Sequence, residues 1–379
     1  MVKQAMLIAD PQWDQRLMAA ALRLGRRNRG RTHPSPAVGA LIVRFAGGEP
    51  VIVGRGATPA GAGGLAVAVA LSAAGEAARG ATAYLTLEPG LHNDDGTSST
   101  DALIAAGVAR VVVALEDPRP GRTRAGQARL REAGVEVTAG VLGEEARRDH
   151  AGFLMRISQG RPFVTLKLAV SADGMIGRKS GERMLVSGHG AFEHLQRLRL
   201  VSDATMVGIG TVLANDPRLI VRVPSLARLS PIRIVLDTEA RMPPDCALLK
   251  SVDVAPLWVL VRPDADRGRR ERLAAAGADV LEVDGGSGGL DIAAVLRLAG
   301  ERGINDLLVE GGARVAASLV SRGFADAVVL YRAPVVVGPD GVRALAGGAL
   351  STIDRSPRYR IVDEVMLGED RMVRFERKS

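Results

Sequence analysis

Two stretches of this chain carry residues whose types and spacing suit chemistry. In Ser202–Arg222, SDATMVGIGTVLANDPRLIVR, the strand-length apolar run Ala204–Val207 breaks into Gly208-Ile209-Gly210-Thr211. The two glycines there let a backbone approach a ligand closely. Asn215-Asp216-Pro217 punctuates the stretch, and Leu219–Arg222 resumes as apolar residues ending on an arginine. In the second stretch the run Asp306–Glu310, DLLVE, ends on a carboxylate and passes through Gly311-Gly312 into Ala313-Arg314. A carboxylate closing an apolar strand beside two glycines is usually a site residue. The bare N–H groups of a helix start suit an anion such as a pyrophosphate. The spacing is not that of a G-x-G-x-x-G dinucleotide fingerprint, and strand-Gly-Gly-helix is also the form of a plain tight turn.

The elements that must position these residues alternate. In the first half, helical spacing marks residues 12–25, 66–80, 99–107 and 127–134, with strands at 40–44, 51–56, 82–88 and 110–115. A further helix over 144–160 ends at Gly160-Arg161-Pro162, where the domain boundary falls. The second half continues with strands at 163–170, 204–207, 232–237, 257–261, 306–310 and 327–331 and helices at 191–201, 269–276, 292–302 and 313–322. Such alternation predicts layered α/β domains. Two are expected, over 1–150 and 161–379, because 379 residues exceed one ordinary core.

Composition narrows the classes. Apolar residues make up 47% and charged residues 24%, the balance of a folded globular protein. No apolar run reaches membrane-spanning length, and the first residues lack the apolar core of a signal peptide. The single cysteine, Cys246, excludes an intramolecular disulfide and fits a reducing compartment, so a cytoplasmic location is expected. A net charge of +8 suggests a polyanion, but aromatic residues are only 3% and the arginines are interspersed with acids. The charge is therefore read as a solvated surface; nucleic acid and membrane are not expected partners.

The second half, with V-T-L-K-L-A-x-S-x-D-G over 164–174, G-x-G-T over 208–211 and N-D-P-x-L-x-x-R over 215–222, resembles the reductase half of the bifunctional riboflavin-biosynthesis deaminase/reductase family. The resemblance implies a dihydrofolate-reductase-like α/β fold and an NADPH-dependent reduction. In that reaction the ribosyl chain of 5-amino-6-(5-phosphoribosylamino)uracil becomes ribityl. By position it implies that Ala169, Leu185, Thr211, Asn215 and Thr238 contact the cofactor. The stretch Gly312, Ala313, Arg314, Val315, Ala316, Ala317 and Ser318 would hold its phosphates. Arg183, Arg199, Leu219, Arg222 and Glu310 are implied at the substrate, with Lys167 and Glu310 as the catalytic pair polarising the open-chain sugar imine. Blander alternatives are a solvent-facing strand lysine for Lys167, pairing with Asp203 for Arg199, and a turn-forming role for Asp173. Relatives of this fold often carry a cis bond at such a Gly-Gly turn, which makes Gly311–Gly312 a candidate. Asn215 stands where family members carry aspartate.

The first half, through His33-Pro34-Ser35-Pro36-Ala37-Val38-Gly39, Ala81–Pro89 and Asp101–Val113, resembles the family's cytidine-deaminase-like, three-layer α/β zinc domain. The zinc-ligand positions are Leu65, Gly90 and Ser99 and the proton-shuttle position is Val67, so neither zinc nor deamination is expected. His92, Asp94 and Asp95 lack the spacing to replace them. The implied assembly is a homodimer. The alternatives are a non-catalytic nucleotide- or pyrimidine-binding paralogue, and a reductase of the same fold acting on another pterin- or pyrimidine-like substrate.

Overall fold

The computed structural model describes residues 11–61, 65–91, 98–179, 184–223, 225–286 and 288–378. The chain divides into two compact units, Met1–Gly160 and Arg161–Ser379.

The first unit is a five-stranded sheet in the order β2-β1-β3-β4-β5. Its strands are β1 (Gly39–Ala46), β2 (Glu49–Ala57), β3 (Thr82–Leu85), β4 (Arg110–Val113) and β5 (Glu136–Ala139), with β1 antiparallel to β2 and β3 and the rest parallel. Helices α1 (Pro11–Arg26), α2 (Ala66–Ala74), α3 (Ser99–Ala105), α4 (Ala125–Glu132), α5 (Gly143–Asp149) and α6 (Ala151–Gln159) complete it. The alanine-rich α2 lies against β2 because Gly56 leaves room: a Cβ there would sit 2.0 Å from the Ala66 carbonyl oxygen. A buried network ties α1 to the sheet, the Arg110 guanidinium gripping the Asp14 carboxylate at 2.9 and 2.7 Å while Tyr84 donates to it at 2.8 Å.

The helix expected over 144–160 is two helices meeting at His150. Its imidazole is taken inside, with Nε2 3.2 Å from the Thr86 hydroxyl, and the backbone turns to permit this. Burial, helped by the nearby Arg29 charge, lowers its pKa to about 4. The unfolded imidazole binds a proton near 6.5, so the native unit is favoured fully above that pH and loses stability as pH falls from about 6.5 towards 4. We expect the unfolding free energy of the first unit to fall over this window by an amount approaching 3 kcal/mol. His150→Gln should flatten that dependence in pH-resolved urea titrations.

The second unit is built on a nine-stranded sheet, β11-β10-β9-β8-β14-β6-β15-β18-β17. In chain order its strands are β6 (Phe163–Val170), β8 (Ala204–Gly208), β9 (Ile232–Leu236), β10 (Leu257–Val261), β11 (Asp279–Glu282), β14 (Asp306–Val309), β15 (Ala327–Arg332), β17 (Tyr359–Leu367) and β18 (Asp370–Arg377). All run in the same direction except β18, which lies antiparallel between β15 and β17. Small ribbons pair β7 (Met175–Arg178) with β16 (Gly341–Arg343) and β12 (Gly285–Gly286) with β13 (Gly289–Leu290). The helices are α7 (His189–Leu200), α8 (Ile209–Asn215), α9 (Arg267–Ala275), α10 (Ile292–Glu301), α11 (Ala313–Ser321) and α12 (Ser351–Asp354). Strand alternation sorts β6: Val164, Leu166, Leu168 and Val170 join the main core with α10 and α11. Thr165, Lys167 and Ala169 therefore face the other side, towards α7.

Arg233 of β9 is wholly buried. Its guanidinium donates to the Ser251 hydroxyl at 2.7 Å and to the carbonyls of Ser251, Leu248 and Arg218 at 3.0, 3.1 and 3.3 Å, and also to that of Ala255. Burial lowers its pKa to about 10. It is the hub on which the segments around residues 218 and 248–255 are hung. Replacing it leaves several buried acceptors unpaired, each costing about 1–3 kcal/mol. Arg233→Met should destabilise the second unit by about 3 kcal/mol or more, read in calorimetry as a fall in Tm of roughly 10 °C.

Candidate functional site

Parallel strands deliver their carboxyl ends to one edge of the sheet, and the chemistry-bearing residues collect there. Glu310 follows β14, its N–H bonded to the Met206 carbonyl at 3.0 Å. Arg199, in the last turn of α7, closes on it as a two-pronged pair, Nε to Oε1 at 2.7 Å and Nη2 to Oε2 at 2.8 Å. The third guanidinium nitrogen donates to the Ile220 carbonyl at 2.8 Å, tying the pair to the loop after α8. The two side chains are 7% and 9% exposed. Pairing of Arg199 with Asp203 is thereby corrected: Asp203 instead accepts from the backbone N–H groups of Asn305 and Asp306.

Burial alone would raise the Glu310 pKa, but Arg199, then Lys167 and Arg222, overcome it and hold the carboxyl below its ordinary value. Lys167 projects from β6 onto the same side, its Nζ 5.4 Å from the centroid of the Tyr331 ring. Burial pushes its pKa down; Glu310 and Asp370 oppose this, and Arg199 reinforces it. The result is an ionised carboxylate beside a lysine biased towards giving up its proton. Among the described residues, no ion pair or hydrogen bond of less than 4 Å claims Lys167 Nζ.

The remaining expected residues divide into groups. Gly208 is the N-cap of α8, so Thr211 and Asn215 lie one helical turn apart, Asn215 exposed. A Cβ on Gly312 would meet the Thr211 hydroxyl at 3.6 Å, so the two glycine-bearing stretches adjoin. Gly312 caps α11 in extended conformation without a side-chain hydrogen bond. The N–H of Ala316 is bonded to the Gly312 carbonyl, which leaves the amides of Ala313, Arg314 and Val315 as the first-turn donors. Ala316 itself is buried in the core, and Ala317 and Ser318 lie deeper in the helix. Thr238, past β9, adjoins Gly289 of β13, and Arg314 reaches the Gly288 carbonyl at 3.4 Å. Ala169 is half-buried on the Lys167 face and Leu185 is 81% exposed. Arg183, His92, Asp94 and Asp95 lie outside the described residues.

Leu219 holds φ +53°, a left-handed conformation unusual for a branched side chain, while its side chain fills the core beneath the loop. Arg222 lies over the Phe192 ring at 5.8 Å, and its N–H donates to Gln196 Oε1 at 2.8 Å. Gln196 was not legible as a site residue; neither were Tyr331, His194 and Asp370. The available signals were the two-residue period joining Val329 to Tyr331 and the α7 face 195–196–199. The cis bond suggested for Gly311–Gly312 is corrected: the one cis peptide among the described residues is His33–Pro34. Backbone entering α11 in extended geometry needs no cis bond to make the turn. Asp173 is a turn residue, accepting from the Ser171 hydroxyl at 2.6 Å and the Gly338 and Val337 amides at 2.8 and 3.1 Å. These donors lower its pKa to about 2.

In the first unit, Leu65 is the N-cap of α2, Val67 lies in the apolar core, Ser99 opens α3 and Gly90 follows β3 by a short loop. Thr100 donates its hydroxyl to the Pro89 carbonyl at 3.0 Å, and a Cβ on Gly126 would lie 2.0 Å from that same oxygen. Glu88 fixes the start of the loop by accepting from the amides of Asp117, Arg124 and Gln127 at 3.0, 3.0 and 3.2 Å. No group of three or more metal-ligating side chains exists among the described residues, and no helix there is long and apolar enough to cross a membrane.

Residues 162–371 match the family model of the RibD C-terminal domain, and residues 11–115 match that of the cytidine and deoxycytidylate deaminase zinc-binding region. The chain is 36% identical over 365 residues to the riboflavin biosynthesis protein RibD of Aquifex aeolicus, covering 96% of this chain and 98% of the relative. It is 35% identical to the Escherichia coli protein of the same name, covering 94% and 97%. The solved Acinetobacter baumannii RibD superposes with a TM-score of 0.85 at 31% identity, covering 98% of this chain and 100% of that one. The two units are thus a cytidine-deaminase-like domain and a dihydrofolate-reductase-like domain. On this likeness across both units, the chain belongs to the RibD family, whose second domain is a reductase of riboflavin biosynthesis.

Proposed function

We infer that the protein is a single-activity reductase: it reduces the ribosyl chain of 5-amino-6-(5-phosphoribosylamino)uracil with NADPH, and its first domain performs no deamination. A Thermotoga maritima protein described as a deaminase and 5-amino-6-(5-phosphoribosylamino)uracil reductase, 27% identical with a TM-score of 0.82, supports the substrate class. The observation that carries the reading is the Arg199–Glu310 pair beside Lys167 at the strand ends, set against the absence of any zinc donor at Leu65, Gly90 and Ser99.

The donors around the start of α11 suit a dinucleotide. The uncapped start of α11 offers amide donors to a pyrophosphate, with the Thr211 hydroxyl beside Gly312 and the Thr238 hydroxyl beside Gly289. NADPH, when bound, would supply a hydride for the first carbon of the open-chain sugar imine. The protein's residues manage charge and the proton. Lys167 donates from Nζ to the imine nitrogen, a transfer favoured because burial weakens its hold on the proton. Glu310, held ionised by Arg199, stabilises the ammonium before transfer and favours its reprotonation afterwards. Arg222, anchored through Gln196 at the loop, faces the anionic end of the substrate. The same loop places Leu219, and Arg199 fixes it through Ile220. The expected assembly is a homodimer.

The zinc positions do not fit the metal. Leucine, glycine and serine offer no thiolate or imidazole, and Val67 cannot shuttle a proton. Metal analysis of purified protein should accordingly find zinc well below one equivalent. NADPH oxidation, followed by its near-ultraviolet absorbance, should proceed with the deaminated phosphoribosylaminouracil and not with its aminated precursor. Turnover of the precursor, or of neither compound by folded protein, overturns the reading. Glu310→Gln keeps the shape of the carboxylate and removes its charge. It should lower kcat about 100-fold while KM for the pyrimidine changes only a few-fold.

A further inference from the structure

Beyond the Arg199–Glu310 pair, Lys167 has a second support that neither the motifs nor the family comparisons assign. Tyr331 lies on β15 diagonally across from Lys167, since Val329 pairs with Lys167 and Tyr331 with Ala169 in the parallel register. The phenol is wholly buried, and its ring face lies beneath the ammonium at 5.4 Å. A desolvated cation over an aromatic face is attracted by the ring quadrupole. The hydroxyl of the same ring is 2.6 Å from Nδ1 of His194 on α7, with the two rings edge to face at 5.8 Å. His194 is half-buried, so it links a buried phenol to the surface.

We propose that Tyr331 and His194 form a positioning pair for Lys167: the ring seats the ammonium, and the imidazole fixes the ring and makes reduction depend on its own protonation. The proposal rests on the reductase reading above and extends it to two residues that touch neither substrate nor cofactor. With neutral His194, the phenol donates its proton to Nδ1, which leaves the ring electron-rich and its attraction for Lys167 strong. Burial keeps the phenol protonated by raising its pKa, so it is the donor. A protonated His194 reverses the bond: Nδ1–H donates to the phenol oxygen, draws density from the ring and adds a positive charge behind it. The groups facing His194 are Tyr331 on β15, Arg197 on its own helix, Asp363 on β17 and Arg374 on β18. Burial and the two arginines depress its pKa against the pull of Asp363, so the imidazole is neutral at pH 7 and charges on the acid side.

The test uses the full chain and two readouts. The first is the pH dependence of Lys167 acetylation by acetic anhydride, followed by mass spectrometry in the absence of substrate. The second is kcat and KM from pH 5 to 9 with the deaminated pyrimidine. Tyr331→Leu removes the seat and should shift the midpoint of Lys167 labelling down by about one pH unit. Tyr331→Phe keeps the ring and loses the hydroxyl, and His194→Phe loses the acceptor. Each should lower kcat about fivefold with KM for both ligands within about twofold, and each should abolish the acid limb of the kcat profile. Should Tyr331→Leu not fold, the other two variants decide. An unchanged labelling midpoint in folded Tyr331→Leu, or an unchanged kcat profile in Tyr331→Phe and His194→Phe, overturns the proposal. If the parent protein turns over no pyrimidine, the reductase reading fails on its own, and the labelling experiment still judges whether Tyr331 seats Lys167.

Discussion

A carboxylate withdrawn from water and kept ionised is the constraint on which the reductase unit depends. Glu310 has lost most of its hydration at the end of a buried strand, and that loss alone would push its pKa up. The two-pronged contact from Arg199 reverses the balance, and geometry rather than charge count makes this possible: a planar fork on a planar carboxylate satisfies both oxygens. A buried pair of this kind is a poor source of stability, because desolvation offsets the attraction. Its value here lies in place. The same guanidinium reaches the Ile220 carbonyl, so the pair fixes the arginine-bearing loop and the acid at once.

The sheet beneath supplies the rest by register. Lys167 and Tyr331 meet because β6 and β15 run parallel with Lys167 opposite Val329, and the alternate residues of both strands form the core. A one-residue slip would bury Lys167 in that core and turn Leu166 and Leu168 towards the ligand. The apolar alternation that holds the domain together therefore also orients its reactive lysine.

Much of this was legible in the sequence because it is local. The β-run FVTLKLAV and the strand-Gly-Gly-helix turn each depend on a few neighbouring residues and fold as read, whereas the stretch after Gly208, expected as a glycine-bearing loop, is the helix α8. What escaped is non-local. Arg199 and Glu310 are 111 positions apart, and His194 and Tyr331 are 137 apart, so no window of sequence shows them together. The final hairpin of β17 and β18 was missed for another reason: β17 is exposed along most of its length and lacks the apolar alternation of a half-buried strand. The break at His150 carries no glycine or proline to announce it; an interior hydroxyl draws the imidazole in.

The loop at Pro89-Gly90 is fastened entirely by protein groups: the Thr100 hydroxyl, the tight approach of Gly126, and the three amides gathered by Glu88. None of these depends on an ion. A framework held in this way does not collapse when a ligand side chain is exchanged, unlike small zinc domains that unfold without their metal. Leucine, glycine and serine at positions 65, 90 and 99 therefore sit in a framework whose described fastenings are protein groups.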